Sequence, residues 1–203
     1  MAERFLDKIY DGDANGAREI YAQWSETYDA EITLNGYATP ARCANALLRF
    51  AGDLSLPILD YDCGTGLSGI ALRSAGFLHI DGYDISKEMI ELARPKNVYD
   101  ALGHFDLEDG PPVTKGQYSM ITAIGVISVG AAPLSTFDAI IDLLPADELF
   151  VFSFNDRALA DPAYEKKVKI YTESEKIEQL LCEYGEQLPG IGLKSNVYVL
   201  KKL

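Results

Sequence analysis

Three aspartates stand where strand-like sequence gives way to a turn: Asp60, Asp84 and Asp106. The strand-like segments that they close or follow are about 57–61, 79–84 and 98–103. A carboxylate can accept two hydrogen bonds side by side, so each acid could bind a pair of donors on a polar ligand. In a parallel sheet the carboxyl ends of the strands meet at one rim. The spacing therefore predicts one extended ligand site contacted by three acids.

A glycine-rich turn follows the first of these acids. The chain runs Asp60-Tyr61-Asp62-Cys63-Gly64-Thr65-Gly66, and a helix pattern begins at Leu67. Glycine has no Cβ and tolerates positive φ, so a ligand can approach its backbone closely. The first turn of the helix offers unpaired N–H groups and the positive end of its dipole. This combination suits an extended polar cofactor.

The elements that must position these residues alternate between strand and helix. We predict strands at about 57–61, 79–84, 98–103, 119–124 and 148–154, with helices at 67–75, from Ser86 to Ala93, and at 134–144. Such βα alternation predicts an α/β fold with a parallel sheet and helices on both faces. A Thr172-x-x-Glu175 capping box predicts a further helix to Tyr184. Strands near 186–189 and 196–200 are joined so tightly that they must be antiparallel.

The first part of the chain has a helical pattern without strand signals. Asp13 can cap a helix whose apolar stripe is Ala17, Ile20, Tyr21, Trp24 and Tyr28. Thr39-Pro40 predicts the cap and first turn of another helix. We expect residues 1–52 to form a helical cap within the same domain as the core at 53–203. The leading helix either packs as an amphipathic element or serves as a lid over the ligand.

Composition limits the function classes. The chain has 203 residues, 48% of them apolar, and a net charge of −13, which disfavours binding to a nucleic-acid backbone. The basic stretch 166–169 is interpreted as a solvated helix face. No apolar run is long enough to predict a membrane-spanning helix, and no signal segment predicts export. The three cysteines are far apart and there are only two histidines, so a zinc site is improbable. These features predict a cytoplasmic protein.

The turn sequence resembles motif I of the class I S-adenosylmethionine-dependent methyltransferases, in which an acid precedes three spaced glycines. Asp60, Gly64 and Gly66 match, whereas Asp62 stands where the family most often has Gly or Ala. The resemblance is motif-specific over 58–107 and extends more loosely over almost the whole chain. It also resembles a small stand-alone branch of the family that includes the Williams–Beuren-region methyltransferase-like protein. It implies a Rossmann-like, mostly parallel seven-stranded sheet with an antiparallel C-terminal edge hairpin.

The resemblance also implies roles for single residues. Asp84 would bind both ribose hydroxyls, Asp106 the adenine amino group, and Leu107 the ring through its backbone N–H. Ile85 and Met89 would pack on the adenine, and the turn residues, Cys63 among them, would lie beside the methionine half. Asp60 would orient the turn near the ammonium group, and Asp62 would either face that group or narrow the pocket. Tyr21 and Tyr28 would approach the methionine end and the acceptor.

The function predicted is transfer of a methyl group from S-adenosylmethionine to a small molecule, leaving S-adenosylhomocysteine. No residue is identified as a general base, and His79 and His104 are interpreted as structural. Two alternatives stay open. The sequence from Gly64 to Gly69 also satisfies the dinucleotide-binding pattern GxGxxG, which is typical of NAD(P)-linked oxidoreductases. The acid at the end of the first strand, Asp60, and the later Asp106 favour S-adenosylmethionine instead. A cofactor-binding protein without activity is suggested by the departures at Asp62, Ser119 and Ala131.

Overall fold

The computed structural model describes residues 27–106 and 109–203. Within these ranges seven strands form one sheet. In chain order they are β1 (Pro57–Tyr61), β2 (His79–Asp84), β3 (Ala101–His104), β4 (Met120–Ala123), β5 (Leu149–Asn155), β6 (Ile177–Leu188) and β7 (Leu193–Lys202). Their order across the sheet is β3-β2-β1-β4-β5-β7-β6.

The helices lie mostly in the connections between strands. They are α1 (Thr39–Leu48), α2 (Leu67–Ser74), α3 (Lys87–Ala93), α4 (Ser135–Leu143), α5 (Asp156–Ala160) and α6 (Pro162–Glu173). Residues 27–34, ahead of α1, are also helical. In the part of the chain that the structure describes, no helix combines the length and apolarity needed to cross a bilayer.

The sheet is parallel except at its C-terminal edge. Strands β1 to β5 pair in parallel, whereas β7 pairs antiparallel with both β5 and β6. Both faces are buried, because Ile58 packs in a cluster with Leu47 of α1 while the next residue, Leu59, packs with Phe137 of α4. The predicted α/β architecture is confirmed, including the antiparallel edge hairpin. The parallel pairing places the carboxyl ends of β1, β2 and β4 at one rim.

The predicted helix ending at Tyr184 is wrong. Thr172 lies inside α6, where its hydroxyl donates to the Val168 carbonyl oxygen, and Glu175 has a positive φ of 53° that ends the helix. The chain then forms β6, which pairs with β7 along nearly its whole length. Glu, Gln and Leu favour helix in isolation, but the ladder with β7 outweighs that local preference.

The sequence signal for α6 lies earlier than the expected capping box. Asp161 accepts a hydrogen bond from the Ala163 N–H at 2.9 Å, and Pro162 occupies the first helical position. This Asp-Pro-Ala start is a regular helix N-terminus. Residues 166–169 fall within α6, where Lys166 and Lys169 are exposed as predicted, whereas Val168 is buried.

Two other boundaries differ from expectation. Thr39 is the first residue of α1 rather than its cap, and its hydroxyl lies 3.5 Å from the Ser195 hydroxyl. Strand β3 begins at Ala101, three residues later than predicted, because Asn97 has a φ of 52° and Tyr99 turns into the protein interior. The stripe around Asp13, Ala17, Ile20, Tyr21 and Trp24 lies outside the described residues.

Candidate functional site

A cavity of about 510 Å³ opens at the carboxyl ends of β1, β2 and β4. Its volume is within the range of about 300–1,000 Å³ that is typical of small-molecule sites. Because β1 lies between β2 and β4 in the sheet, the lining comes from two sides. The 62–65 turn, Asp84 and Ser86 supply polar groups, with apolar Ile85 and Met89 beside them. Residues 124–126 and 131–133, which follow β4, are mostly apolar and define the apolar half of the cavity.

The turn after β1 exposes backbone to the cavity. Asp62, Gly64 and Gly66 all have positive φ, at 57°, 55° and 89°. A Cβ at Gly64 would meet nothing within 4 Å, so the space in front of this residue is open to a ligand. A Cβ at Gly66 would lie 3.3 Å from Ala93 and Tyr99, so this glycine is needed for packing as well as for its conformation.

Asp84 connects β2 to two backbone segments at the polar end of the cavity. Its side chain is 3% exposed and accepts the Gly64 N–H at 2.6 Å and the Ser86 N–H at 2.7 Å. Ser86 in turn caps α3, as predicted, by accepting the Met89 N–H at 3.2 Å. Asp84 therefore fixes the glycine turn and the start of α3 relative to each other.

Asp62 lines the same cavity as Asp84. Burial raises the pKa of Asp62, and burial together with the charge of Asp62 raises the pKa of Asp84 well above its ordinary value. Two carboxyl groups this close hold a proton at a higher pH than isolated ones do.

Asp60 lies beneath the turn and is not among the residues that line the cavity. It is 1% exposed and accepts three hydroxyl hydrogen bonds, from Ser68 at 2.6 Å, Thr122 at 2.7 Å and Tyr99 at 2.7 Å. Burial raises its pKa, while these hydroxyls oppose the shift. The contacts place Asp60 as a support of the glycine turn, and its closeness to a ligand ammonium group stays a prediction.

Tyr99 is a structural part of the site that the sequence did not reveal. It fills the space between α2 and β2, where a Cβ at Gly69 would lie 2.6 Å and one at Gly82 2.9 Å from its ring. The signal for this packing is a glycine in the middle of a strand and another inside a helix, both unusual positions. Burial raises the pKa of Tyr99, so its hydroxyl is a donor to Asp60.

A second group missed from sequence joins the leading helical segment to the glycine turn. The Lys96 ammonium group contacts Asp29 at 2.6 Å and the Thr65 carbonyl oxygen at 2.6 Å. The Thr65 hydroxyl donates to the other Asp29 oxygen at 2.5 Å. Asp29 follows Tyr28, which lines the cavity. This Asp29–Lys96–Thr65 link therefore holds Tyr28 at the cavity.

The remaining predicted residues divide between lining positions and undescribed ones. Ile85, Met89 and Asp106 line the cavity, as do Phe105 and the turn residues Cys63 and Gly64. Met89 is 3% exposed, whereas Asp106 is exposed at the edge. The positions predicted at Tyr21 and Leu107 lie outside the described residues.

The apolar half of the cavity is shaped by a second tight turn. Gly125 has a φ of 75°, and its N–H donates to the Ser153 hydroxyl at 3.0 Å. A Cβ at this position would collide with the Tyr37 hydroxyl, which lies against the same wall. Glycine is therefore required here both by conformation and by space.

The two histidines and Cys63 offer no obvious base or nucleophile. His79 contacts Asp100 at 3.0 Å on the surface, and His104 is not among the lining residues. Burial and the neighbouring acids raise the pKa of Cys63 well above its ordinary value, which keeps the group a thiol.

Charge distinguishes the kinds of ligand that the cavity suits. Asp62, Asp84 and Asp106 line it, and no Lys, Arg or His occurs among its described lining residues. An anionic polyphosphate would meet repulsion without a compensating side chain. The cavity therefore favours a neutral or cationic ligand.

Comparison with known proteins agrees with this geometry. Residues 36–185 match a family model described as a methyltransferase domain. The chain is 32% identical over 117 residues to human methyltransferase-like protein 27, an alignment that covers 56% of this chain and 48% of that protein. The chain thus spans about half the length of this curated relative.

Two solved structures share the fold at low sequence identity. A geranyl diphosphate methyltransferase in complex with geranyl diphosphate and sinefungin superposes with a TM-score of 0.60 and 12% identity, over 79% of this chain and 77% of that one. A ribosomal protein L11 methylase from Lactobacillus delbrueckii subsp. bulgaricus gives a TM-score of 0.60 and 17% identity, over 82% and 80%. The glycine turn, the sheet order and the match to the family model identify this chain as a member of the methyltransferase-domain family, as its motif I predicted.

Proposed function

We propose that this protein transfers a methyl group from S-adenosylmethionine to a small-molecule acceptor. The observation that carries the proposal is the cavity at the rim of the sheet, whose lining combines the carboxyl groups of Asp62 and Asp84 and the Gly64 backbone with mostly apolar residues that follow β4. S-adenosylmethionine is the cofactor of this family, and two solved structures that share the fold are complexes with sinefungin and with S-adenosyl-L-homocysteine.

The residues at the polar end fit that cofactor. Asp84 has acceptor oxygens at the cavity, next to a turn whose Gly64 offers bare backbone. Ile85, Met89 and Phe105 provide apolar surface suited to a flat ring, and Asp106 stands at its edge as an acceptor. The acidic lining complements a ligand that carries an ammonium and a sulfonium group. The same lining disfavours the diphosphate of NAD(P).

The apolar half supports a small acceptor. It is bounded by Ile124, Val126, Pro133 and the rings of Tyr28 and Tyr37. Such a wall excludes water and aligns an acceptor atom, which supplies much of the rate of a displacement reaction. The net charge of −13 also disfavours an RNA acceptor.

The acceptor chemistry follows from which side chains are present. The bound cofactor supplies an activated methyl on a sulfonium, so the chain must mainly bind, orient and keep water out. Ala131 lines the cavity, and the described lining residues include no His or Lys. Acceptors that need no strong base, such as an acidic hydroxyl, a thiol or an activated carbon, fit best.

Binding and transfer are tested separately. Isothermal titration with S-adenosylmethionine and with NAD(P) should give binding only for the former, and binding of NAD(P) alone would overturn the cofactor assignment. Protein supplied with methyl-labelled cofactor and cell extract should then place label in a low-molecular-mass product that is separated chromatographically from the cofactor itself. Label in the protein or RNA fraction would overturn the small-molecule acceptor, and binding without release of S-adenosylhomocysteine would indicate an inactive cofactor-binding protein.

A further inference from the structure

A second cavity of about 490 Å³ lies beside the first, between α2 on one side and α1 with the residues just before it on the other. Three residues line both cavities: Tyr37, Pro40 and Leu67. Residues common to two linings form the wall between the two spaces. Pro40 lies in the first turn of α1 and Leu67 begins α2, whereas Tyr37 lies outside the helices. The largest side chain of this wall is therefore carried by a connecting segment.

The backbone at Tyr37 is held from both sides. Its N–H donates to the Ile32 carbonyl oxygen at 3.2 Å, and the N–H of Ala38 donates to the Gln187 carbonyl oxygen at 2.8 Å. Gly36, with a φ of 74°, forms the turn that precedes it. These contacts connect the segment to the leading helix and to β6, so the Tyr37 ring extends from a defined position.

The far end of the Tyr37 side chain lies against the turn after β4. A Cβ at Gly125 would collide with the Tyr37 hydroxyl, so the missing side chain of Gly125 leaves the space that the hydroxyl occupies. Gly125 belongs to the apolar half of the cavity. The Tyr37 ring thus extends from the 35–38 segment to the turn after β4 and closes the wall between the two cavities.

We propose that Tyr37 limits the length of the methyl acceptor, so that the site takes compact, uncharged acceptors and excludes elongated ones. This limit rests on the proposed methyl transfer to a small molecule. With the cofactor at the turn after β1, the apolar half is left for the acceptor, and a chain longer than that half meets the Tyr37 ring. Residues 124–126 and 131–133 carry no charged side chain, so a charged acceptor would lose its hydration without compensation.

Tyr37 acts here through the shape of its ring and forms no bond in the reaction. The acceptor atom bonds to the methyl carbon, the carbon–sulfur bond breaks with its electron pair going to sulfur, and a proton on the acceptor passes to solvent. A change at Tyr37 should therefore alter the preference among acceptors of different length.

Tyr37→Ala is the decisive variant, because it removes the ring and opens the wall to the second cavity. Tyr37→Phe is the matched control, since it keeps the ring and removes the hydroxyl. Tyr37→Val is made alongside, because it shortens the side chain with a smaller loss of packing and gives the same test if Tyr37→Ala does not fold. A cooperative thermal transition shows which variants are folded.

The measurement is titration of para-alkylphenols, from para-methylphenol to para-octylphenol, into protein saturated with S-adenosylhomocysteine. These probes are uncharged and differ only in chain length. Each methylene that enters an apolar cavity should raise the affinity about fourfold, equivalent to about 0.8 kcal/mol. In the wild type and Tyr37→Phe this rise should stop at the same short chain. In Tyr37→Ala and Tyr37→Val it should continue, with roughly tenfold tighter binding of para-octylphenol than in the wild type.

Gly125→Ala tests the contact at the far end of the ring. The added Cβ would collide with the hydroxyl of Tyr37 but would lie 3.7 Å from the ring carbon Cζ, so the collision is absent in Tyr37→Phe. The φ of 75° strains alanine equally in both backgrounds, so comparing the two isolates the hydroxyl contact. Gly125→Ala should lower the melting temperature by about 2–4 °C more in the wild type than in Tyr37→Phe. Equal shifts would overturn the closed wall.

The outcomes distinguish the length limit from the proposed function. A limit that is the same in the wild type, Tyr37→Ala and Tyr37→Val overturns the role of Tyr37 and leaves the cofactor assignment intact, as does a wild type that binds none of the phenols. A limit that moves with Tyr37→Phe also overturns it, because the ring would not be what closes the wall. A wild type that does not bind S-adenosylmethionine overturns the proposed function, and the length limit with it.

Discussion

Asp60 and Asp84 end neighbouring parallel strands and are almost equally inaccessible, yet their environments differ in kind. Asp60 is enclosed by three side-chain hydroxyls from α2, β4 and the connection before β3. Asp84 is held by backbone N–H groups and lines the cavity. The first region is a closed polar cluster beneath the turn, and the second is an open one in front of it. Burial alone therefore does not distinguish a structural acid from a ligand-binding acid in this fold.

Substitutions in the closed region around Asp60 should have the largest effect on stability. Asp60→Ala would leave three buried hydroxyls without their acceptor, so the free energy of unfolding should fall by about 3 kcal/mol, roughly 1 kcal/mol for each hydrogen bond. Denaturant titration at fixed pH measures this loss, and Tyr99→Phe should show about a third of it. A loss in cofactor affinity greater than the loss in stability would contradict the comparison, because it would place Asp60 at the ligand.

Substitutions in the open region around Asp84 should affect cofactor binding rather than stability. Asp84→Ala should weaken S-adenosylmethionine binding by at least about tenfold, because a well-made hydrogen bond to a charged group contributes about 1.5–3 kcal/mol. Asp81→Ala is the control on the same strand, where the carboxyl group contacts Tyr118 and the Ala101 N–H. Titration calorimetry on both variants decides the matter, and unchanged affinity in Asp84→Ala would remove this residue from the site.

The carboxyl pair of Asp62 and Asp84 should also leave a signature in the free protein. Its raised pKa means that the folded state holds a proton more tightly than the unfolded state, so the pair stabilises most below about pH 4 and loses that contribution as pH rises through the raised pKa. Asp62→Asn removes one acid of the pair, so the free energy of unfolding should fall less as the pH rises. The melting temperature of this variant at neutral pH should be higher than that of the wild type. Parallel pH–stability curves for the two proteins would contradict this expectation.

The smallest effect should come from the link to the leading helical segment. Lys96→Met removes the contacts to Asp29 and Thr65 while keeping a side chain of similar length, so cofactor affinity should fall by roughly fivefold, equivalent to about 1 kcal/mol. Lys167→Met is the matched control, since it breaks a comparable ion pair with Asp138 away from the cavity. Equal affinities for the two variants, measured by titration, would mean that Tyr28 does not depend on this link.

The part of the site that the sequence predicted is local in origin. Glycines at 64 and 66 and a serine capping α3 act through neighbouring backbone, so spacing along the chain was enough to place them. The parallel sheet followed from alternation of strand and helix. The apparent helix at 172–184 failed because its residues suit either structure, and only pairing with β7 decides between them.

By itself, the sequence determined the family, the turn and the rim at which three acids gather, because these depend on short-range backbone chemistry. Tertiary structure alone decided which acid faces the cavity, because β1 and β2 present Asp60 and Asp84 to different partners at the same rim. It also decided that Asp62 and Asp84, distant along the chain, line the same cavity, and that Lys96 and Tyr99 support the turn. Long-range contacts of this kind arise from tertiary packing. Because the contacting residues are separated by no fixed number of positions, the sequence alone does not predict them.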